Sequence, residues 1–242
     1  MSQVLLEATD VAKHFGAVHA VDSVSWSLSA NEICGVTGPN GSGKTSLFNC
    51  LSGFYPITSG SIRWHGEDIS RTSMRQRSRR GLVRTFQDAE VFGSLSVRDN
   101  VEVAREQARR GARASELRSA DDLLDVVGLA GQGHRTAGAL SYGNRRLLGV
   151  AMALATAPQA VLLDEPTSGL NEMESAEVQR RLRVLPEVGI AVGIIDHHMD
   201  FLLPLCDRVI VLQSGSLLWE RPPEAFESSE VVMDAYLGRA AR

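Results

Sequence analysis

The sequence predicts an α/β fold with a mostly parallel, doubly wound β-sheet. The first observation is a set of short apolar runs that read as buried strands, at residues 33–37, 160–163, 190–195 and 208–213. The second is that helix-compatible segments alternate with these runs, at residues 45–51, 144–156 and 172–185. Strands that alternate with helices are typical of such a sheet. The chain has 242 residues, 43% of them hydrophobic, so it can bury one sizeable core.

The segments around the first buried run also predict strands. Residues 4–9 and 18–28 have strand character, and the second segment shows largely alternating apolar positions at Val18, Ala20, Val24, Trp26 and Leu28. A turn over 58–60 precedes a probable strand at 61–64. Residues 82–87 predict a further short strand that ends in a polar residue.

The pattern changes over residues 95–130. Apolar residues recur there at helical spacing, at Val97, Val101, Ala104 and Ala108 and again at Ala120, Leu123, Leu124 and Val127. Glycines at 128 and over 131–138 interrupt and end the region. We interpret the segment 95–140 as a small helical subdomain inserted into a single domain that spans residues 1–242.

Composition excludes several classes of protein. The net charge is −4, so no global basic field indicates nucleic acid or an anionic membrane. No apolar run has the length of a membrane span, and the first residues lack the basic region and long apolar core of a signal peptide. Three scattered cysteines without a C-x-x-C pair indicate a reduced, cytosolic chain.

The most specific motif follows the run at 33–37. Residues Gly38-Pro39-Asn40-Gly41-Ser42-Gly43-Lys44-Thr45 fit the phosphate-binding loop G-x-x-x-x-G-K-[ST], between a predicted strand and a predicted helix. Glycines let backbone N–H groups approach a polyphosphate, and the helix adds its positive N-terminal end. Lys44 can reach the β- and γ-phosphates, and the Thr45 hydroxyl can ligate Mg²⁺. The motif predicts that the chain binds a nucleoside triphosphate.

Two acids end the apolar run at 160–163. Asp164 can hold Mg²⁺ opposite the phosphate loop, directly or through water. Glu165 then lies near the γ-phosphate, where it can polarise an attacking water. An acidic pair after a strand can equally be a strand-end cap, but its position downstream of a phosphate loop favours the catalytic interpretation.

The order of motifs resembles the ATP-binding cassette (ABC) family, in particular its transporter ATPase subunits. That order is the phosphate loop, Gln87, Leu140-Ser141-Tyr142-Gly143, Asp164-Glu165 and His197, and it covers nearly the whole chain. Leu-Ser-x-Gly is the signature that separates this family from other phosphate-loop proteins. The resemblance implies a P-loop NTPase core with a mostly parallel sheet, an N-terminal antiparallel β subdomain and an inserted α-helical subdomain.

The resemblance also assigns roles to individual residues. Phe15 resembles the aromatic that stacks on adenine, Gln87 the glutamine that senses Mg²⁺, and His197 the switch histidine that contacts the γ-phosphate. Ser168 to Asn171 resemble the loop that touches a partner subunit. The expected ATP ligands include Gly38, Pro39, Asn40, Gly41, Ser42, Gly43, Lys44, Thr45, Ser46, Ser141, Gly143 and Asn144, and the expected Mg²⁺ ligands are Thr45, Gln87 and Asp164. Asn144 stands where the family usually has glutamine, and His198 where it usually has aspartate.

Three stretches are similar to the ATPases of branched-chain amino acid importers. They are residues 48–56, 83–87 and 231–238, and relatives that handle other small solutes share much of them. The resemblance implies ATP and Mg²⁺ as cofactors and a second ATPase subunit, permease subunits and, indirectly, a solute-binding protein as partners. It implies a peripheral location at the cytoplasmic face of the membrane. The alternatives are an exporter ATPase, a soluble ABC-type ATPase and a regulatory nucleotide sensor.

Two further groups of residues carry weaker signals. The arginines at 71, 75, 77, 79, 80 and 84 lack interleaved aromatic residues, so we interpret them as a solvated helix face and expect no nucleic-acid partner. His14, His19, His65 and His134 show no metal-ligand spacing along the chain.

Overall fold

The fold is built on a six-stranded sheet with the order β10-β9-β3-β8-β7-β6. We describe it from a computed structural model that covers residues 3–85, 91–108 and 118–237. The strands are β3 (Ile33–Thr37), β6 (Leu82–Arg84), β7 (Ala160–Asp164), β8 (Ala191–Ile195), β9 (Arg208–Gln213) and β10 (Ser216–Arg221). All neighbours are parallel except β9 and β10, which form an antiparallel pair. The predicted mostly parallel α/β core is confirmed.

A second, four-stranded sheet is antiparallel and has the order β2-β1-β4-β5. It consists of β1 (Val4–Phe15), β2 (Val18–Ser29), β4 (Ser59–Trp64) and β5 (Glu67–Asp68). The first strand runs six residues past the predicted end at residue 9, because register shifts at residues 8–14 break the alternation that sequence analysis relies on. The N-terminal antiparallel β subdomain is therefore confirmed.

Eight α-helices accompany the two sheets in the described part of the chain. They are α1 (Lys44–Ser52), α2 (Met74–Arg79), α3 (Val97–Ala108), α4 (Ala120–Val126), α5 (Tyr142–Leu154), α6 (Glu172–Leu182), α7 (Met199–Leu202) and α8 (Glu230–Leu237). Helices α3 and α4 lie in chain order between β6 and β7 and pack with α5. None of the helices described here is long and apolar enough to cross a membrane.

The central sheet is buried on both faces, which explains its continuous apolar runs. In β9, Val209 and Val211 join the cluster formed with α3 to α6, whereas Ile210 and Leu212 join the cluster formed with α1 and the antiparallel sheet. Successive side chains of a strand point to opposite faces, so two covered faces require apolar residues at every position. The sheet thus separates two apolar layers, and polar residues collect at its carboxyl edge.

The arginine cluster is not a solvated helix face throughout, so that interpretation is wrong for two of its members. Arg77 is 1% exposed, and its guanidinium donates to the carbonyls of Cys50 and Leu51 at 2.8 and 2.7 Å. Arg84 is buried in an ion pair with Asp164. The positions at 71, 75 and 79 are exposed, as expected of a solvated face.

Candidate nucleotide-binding and hydrolysis site

Three loops converge at the carboxyl edge of the central sheet. They follow β3, β7 and β8, which are neighbours in the sheet, and Ile195 at the end of β8 pairs with both Val36 and Asp164. Ligands of open parallel sheets bind outside the carboxyl ends of the strands. The register therefore brings the phosphate loop, the acidic pair and His197 to one edge, although the phosphate loop lies more than a hundred residues before the other two in sequence.

Two positions of the phosphate loop require glycine because a Cβ atom would collide with neighbouring backbone there. A Cβ on Gly38 would lie 2.1 Å from the Leu212 carbonyl oxygen, and one on Gly43 would lie 2.2 Å from that of Ala20. Both residues also have positive φ, at 142° and 100°. Because backbone packs against backbone at these points, any larger residue would displace the loop.

Lys44 is held inside this loop. It is the first residue of α1, and its ammonium donates to the carbonyl oxygens of Gly38 at 2.8 Å and Pro39 at 3.0 Å. Burial lowers the pKa of Lys44, and the negative charges of Glu165 and Asp164 oppose that shift. The cation therefore lies between loop carbonyls and two carboxylates, a position from which it can reach a bound phosphate.

The remaining predicted residues of the loop surround Lys44. Asn40 and Gly41 are at the loop's tip, Ser42 is buried and contacts Lys44, and Thr45 and Ser46 lie in the first turn of α1. Thr45 is exposed and its hydroxyl is available to a ligand. Backbone N–H groups at the first turn of a helix have no intrahelical partner and attract anions.

Asp164 ends β7 and is buried against Arg84. The Arg84 guanidinium donates to Asp164 Oδ2 at 2.6 Å and to Asn49 Oδ1 of α1 at 2.5 Å. One arginine thus connects the strand that leads toward Gln87, the helix of the phosphate loop and the acidic pair. Gln87 itself, expected to bind both ATP and Mg²⁺, lies outside the described residues.

Glu165 has an unusual backbone conformation. Its φ is +46°, and its N–H donates to the Ile195 carbonyl at 2.8 Å. A non-glycine residue in the left-handed region carries strain that a functional position can require. The neighbouring strand thereby holds Glu165 where the chain turns away from the sheet.

The segment after β8, which carries His197 and His198, is held in place by hydrogen bonds to the fully buried Asp196. Asp196 Oδ1 accepts from the backbone N–H groups of His197 at 2.7 Å and His198 at 3.0 Å, and Oδ2 accepts from the Thr167 hydroxyl at 2.6 Å. His198 Nδ1 lies 2.9 Å from that hydroxyl. His197 is left exposed, with Nδ1 3.9 Å from Glu165 Oε1. The geometry thus brings together both predicted catalytic residues.

Ser141 caps the helix that carries the signature. Its Oγ accepts from the Asn144 N–H at 3.2 Å, and α5 begins at Tyr142, two residues earlier than the sequence predicts. Gly143 donates to Glu174 Oε1 at 3.2 Å, and a Cβ there would lie 3.1 Å from Glu174 Cβ. The N-terminus of α5 is therefore fixed against α6, with Ser141 exposed.

Phe15 lies at the end of β1 on the surface. It is 45% exposed, its ring meets Tyr55 edge-on at 5.3 Å, and the Lys13 ammonium lies 4.8 Å from its centroid. Such exposure argues against a core role and leaves a face of the ring for stacking.

Sequence reasoning missed several supporting residues. Arg84, Asn49, Thr167 and Glu174 contact predicted site residues through elements that are distant in sequence. Tyr236 of α8 places its hydroxyl 2.6 Å from Thr37 Oγ1, directly before the phosphate loop. Arg84, Asn49 and Tyr236 had a signal, since all three stood in stretches similar to the importer ATPases.

The fold and the site together define a nucleoside-triphosphate-binding α/β protein. The family model described as ABC transporter matches residues 21–168. This chain belongs to the ABC transporter family, as an ATP-binding cassette with ATPase function.

The relatives match the chain from end to end. It is 33% identical to the high-affinity branched-chain amino acid transport ATP-binding protein BraF of Pseudomonas aeruginosa and 34% identical to LivG of Escherichia coli K12, over 99% of this chain and 100% of each relative. It is 32% identical to the lipopolysaccharide export system ATP-binding protein LptB of Haemophilus influenzae, over 97% of both chains.

A solved structure shares the fold over the same extent. The ADP conformation of MJ1267, an ATP-binding cassette of an ABC transporter, superposes with a TM-score of 0.88 at 26% identity and covers 98% of this chain and 100% of its own. The family predicted from the order of motifs is thereby confirmed.

Proposed function

We propose that this chain is the ATP-hydrolysing subunit of an importer for branched-chain amino acids or a related small solute, bound at the cytoplasmic face of the cell membrane. The observation that carries the proposal is the end-to-end match with BraF and LivG, whose names specify branched-chain amino acid transport. The match with LptB, at 32% identity, makes an exporter ATPase the second candidate.

In this proposal Glu165 is the base that polarises the attacking water, and His197 contacts the γ-phosphate. Support comes from the strand end at Asp164, the contact of Glu165 with β8 and the 3.9 Å approach of His197 to Glu165. Lys44 neutralises the β- and γ-phosphates, and the loop N–H groups orient them. Phe15 stacks on the adenine.

The residues present fit a magnesium ion. The donors are oxygen atoms, namely the exposed Thr45 hydroxyl and the Asp164 carboxylate, and Gln87 completes the expected set. These residues would hold Mg²⁺ next to bound ATP, and the ion would neutralise the charge that develops on the phosphates. The buried Asp164 carboxylate forms an ion pair with Arg84, so it has a charged partner whether or not it also ligates the ion.

We further propose that residues 1–242 form one nucleotide-binding domain in which 95–140 is the inserted helical subdomain. Two such domains would enclose ATP between the phosphate loop of one and Ser141, Gly143 and Asn144 of the other. The exposed Ser141 at the N-terminus of α5 supports this arrangement, since an exposed helix start can receive a phosphate. Permease subunits and a solute-binding protein complete the transporter.

The proposal is tested by solute uptake in the source cell. Deletion of the gene should lower uptake of labelled leucine, wild-type protein should restore it, and Glu165→Gln protein should not. Uptake of an unrelated solute serves as the control. Normal leucine uptake together with accumulation of a cell-envelope component would instead favour the exporter. Normal behaviour in both assays would exclude both leucine as the solute and the exporter.

A further inference from the structure

The β1–β2 hairpin brings together three metal-binding side chains that do not belong to the site described above. They are His14 near the end of β1 and His19 and Asp22 on β2, and one ligand atom from each lies within 4.8 Å of the others. We propose that these residues, here called the hairpin triad, bind a late first-row divalent metal ion such as Zn²⁺, Co²⁺ or Ni²⁺.

Strand register explains why the three side chains meet. His14 pairs directly with His19, whereas Lys13 pairs with Val21 and Val11 with Val24. From Val11 to Lys13 the chain advances two positions on β1, while the paired residue on β2 moves by three. From Lys13 to His14 it advances one position, while the paired residue moves by two. These bulges rotate the strand so that Val21 and Val24 are both buried while His19 and Asp22 are both exposed. A regular strand would place residues 19 and 22 on opposite faces.

The two imidazole rings stack closely, and the hydrogen-bonding capacity of one of their nitrogens is not used. Their ring centroids are 3.9 Å apart with an angle of 10° between planes. His14 Nε2 is buried and has no hydrogen-bond partner among the described residues. A buried polar atom without a partner costs about 1–3 kcal/mol. A metal ion would supply that partner.

The donor set selects the class of metal. Two imidazole nitrogens and one carboxylate oxygen suit Zn²⁺ and its neighbours, whereas Mg²⁺ and Ca²⁺ prefer oxygen donors alone. Three protein ligands also leave coordination positions for water. The lone pair of an imidazole nitrogen lies in the plane of its ring, so these two nearly parallel rings must tilt toward each other to close on one ion. The exposed side chains of His19 and Asp22 can make that movement.

The cysteines do not compete for the ion. Cys34, Cys50 and Cys206 are buried, and burial raises the pKa of Cys34 to about 12 and that of Cys50 to about 11. A thiol must lose its proton to bind a metal, and these thiols keep it. A second group of potential ligands, Asp196, His197 and His198, lies in the hydrolysis site and requires its own control.

Cobalt binding tests the proposal directly. The tag-free full chain is treated with EDTA, freed of nucleotide and titrated with Co²⁺, whose visible absorption reports coordination by nitrogen. We expect one ion per chain with a Kd near or below about 10 µM, no displacement by millimolar Mg²⁺, and displacement by Zn²⁺. His14→Ala, His19→Ala and Asp22→Asn should each weaken binding about tenfold or more.

Matched variants separate the hairpin triad from other sites. His65→Ala and His134→Ala remove exposed histidines elsewhere, and the double variant His197→Ala/His198→Ala removes the second group; all should bind Co²⁺ like the parent. Zn²⁺ should also raise the melting temperature of the parent but not of the exposed-position variants His19→Ala and Asp22→Asn. Absence of binding at 100 µM Co²⁺, unchanged binding in the three triad variants, or loss only in His197→Ala/His198→Ala would each overturn the proposal.

Discussion

Glu165 differs from the other acids of the site in both conformation and surroundings. Asp164 and Asp196 are both buried. Asp164 is ion-paired with Arg84, and Asp196 accepts hydrogen bonds from the Thr167 hydroxyl and two backbone N–H groups. Glu165 stands one residue beyond the strand at φ +46°, facing His197. In the proposed mechanism, Glu165 is the acid that meets the attacking water.

Replacement of Glu165 should separate binding from turnover. Glu165→Gln keeps the size of the side chain and removes the base, so we expect ATP affinity to be kept and the hydrolysis rate to fall about 10²–10⁴-fold. Isothermal calorimetry with ATP and a phosphate-release assay measure the two effects.

Glu172→Gln provides a matched control for that experiment. Glu172 is an exposed acid in the first turn of α6, and its neutralisation should leave turnover within about twofold of the parent, in line with the small effects of surface substitutions. Hydrolysis at a near-parental rate in Glu165→Gln would remove Glu165 from the role of base.

Residue chemistry was predictable from sequence where one continuous motif carries it. Lys44 and Thr45 follow from the phosphate loop, and Asp164 from an apolar strand that ends in acids. The interactions of Arg84 and Thr167 were not predictable from sequence, since they depend on which strands become neighbours. Charge alone misled the interpretation of Arg77 and Arg84, because a local arginine count does not reveal which side chains the fold encloses.

Helix α1 is supported at both ends by groups that come from elsewhere in the chain. Its N-terminus carries the phosphate loop, and its C-terminal carbonyls, Cys50 and Leu51, receive the Arg77 guanidinium from α2. Arg77 also donates to the Ile69 carbonyl at 2.7 Å. A cation at a helix C-terminus complements the macrodipole. Burial lowers the pKa of Arg77 to about 10, so the group stays charged at neutral pH.

Loss of Arg77 should therefore destabilise the protein from within. Arg77→Met retains an apolar stem but removes the guanidinium donor from three buried carbonyls, of which those of Cys50 and Ile69 keep a backbone N–H donor. We expect this loss to lower the free energy of unfolding by about 2–4 kcal/mol. For a chain of this size the melting temperature should fall by about 5–15 °C. Differential scanning calorimetry measures both quantities.

Arg79→Met is the control on the same helix. Arg79 is exposed, so its replacement should change stability by about 0.5 kcal/mol or less. If the two variants melt at the same temperature, the buried contacts of Arg77 contribute nothing to stability and the capping argument is wrong.

At the scale of elements, strands with a regular apolar pattern could be predicted from the sequence, whereas strands with an interrupted pattern could not. The strands β3, β7, β8 and β9 were found within one residue because covered faces demand apolar runs, whereas β6 ends at Arg84, three residues before its predicted end. Strand β1 was predicted too short and β10 was missed. Bulges shift the alternation in the first, and the second, Ser216–Arg221, is half-buried and carries no clear pattern.

At the scale of the molecule, the proposed function assigns phosphate binding to the N-termini of two helices. The start of α1 lies in the phosphate loop with Lys44, whereas the start of α5 is exposed at Ser141 and fixed by Gly143 against α6. Sequence resemblance suggested that these two starts serve different ATP molecules. Under the proposed arrangement, a single chain holds two halves of different sites, and turnover requires two chains.

Mixing two inactive variants tests that arrangement. Ser141→Arg places bulk and positive charge at the start of α5 and leaves the phosphate loop intact, so ATP should still bind while the two chains fail to close around it. Lys44→Ala damages the phosphate loop and leaves α5 intact. A mixed dimer has one composite site with both lesions and one with neither. ATPase activity should therefore recover partly on mixing, up to about a quarter of the parental rate per chain if each intact site works independently and chains pair at random.

Strict cooperation between the two sites would hide this recovery, so closure is measured apart from hydrolysis. In a Glu165→Gln background, hydrolysis is slow and ATP should accumulate a closed dimer that size-exclusion chromatography detects. Adding Ser141→Arg to that background should keep the chain monomeric in ATP, because the arginine occupies the place where the partner's nucleotide docks. Ser141→Ala removes the same hydroxyl without adding bulk or charge, at a cost of about 1 kcal/mol of helix capping. It therefore controls for loss of the cap and should still dimerise. If the Ser141→Arg chain dimerises as well as its parent, the start of α5 does not act across the interface, and each chain must complete its site by other means.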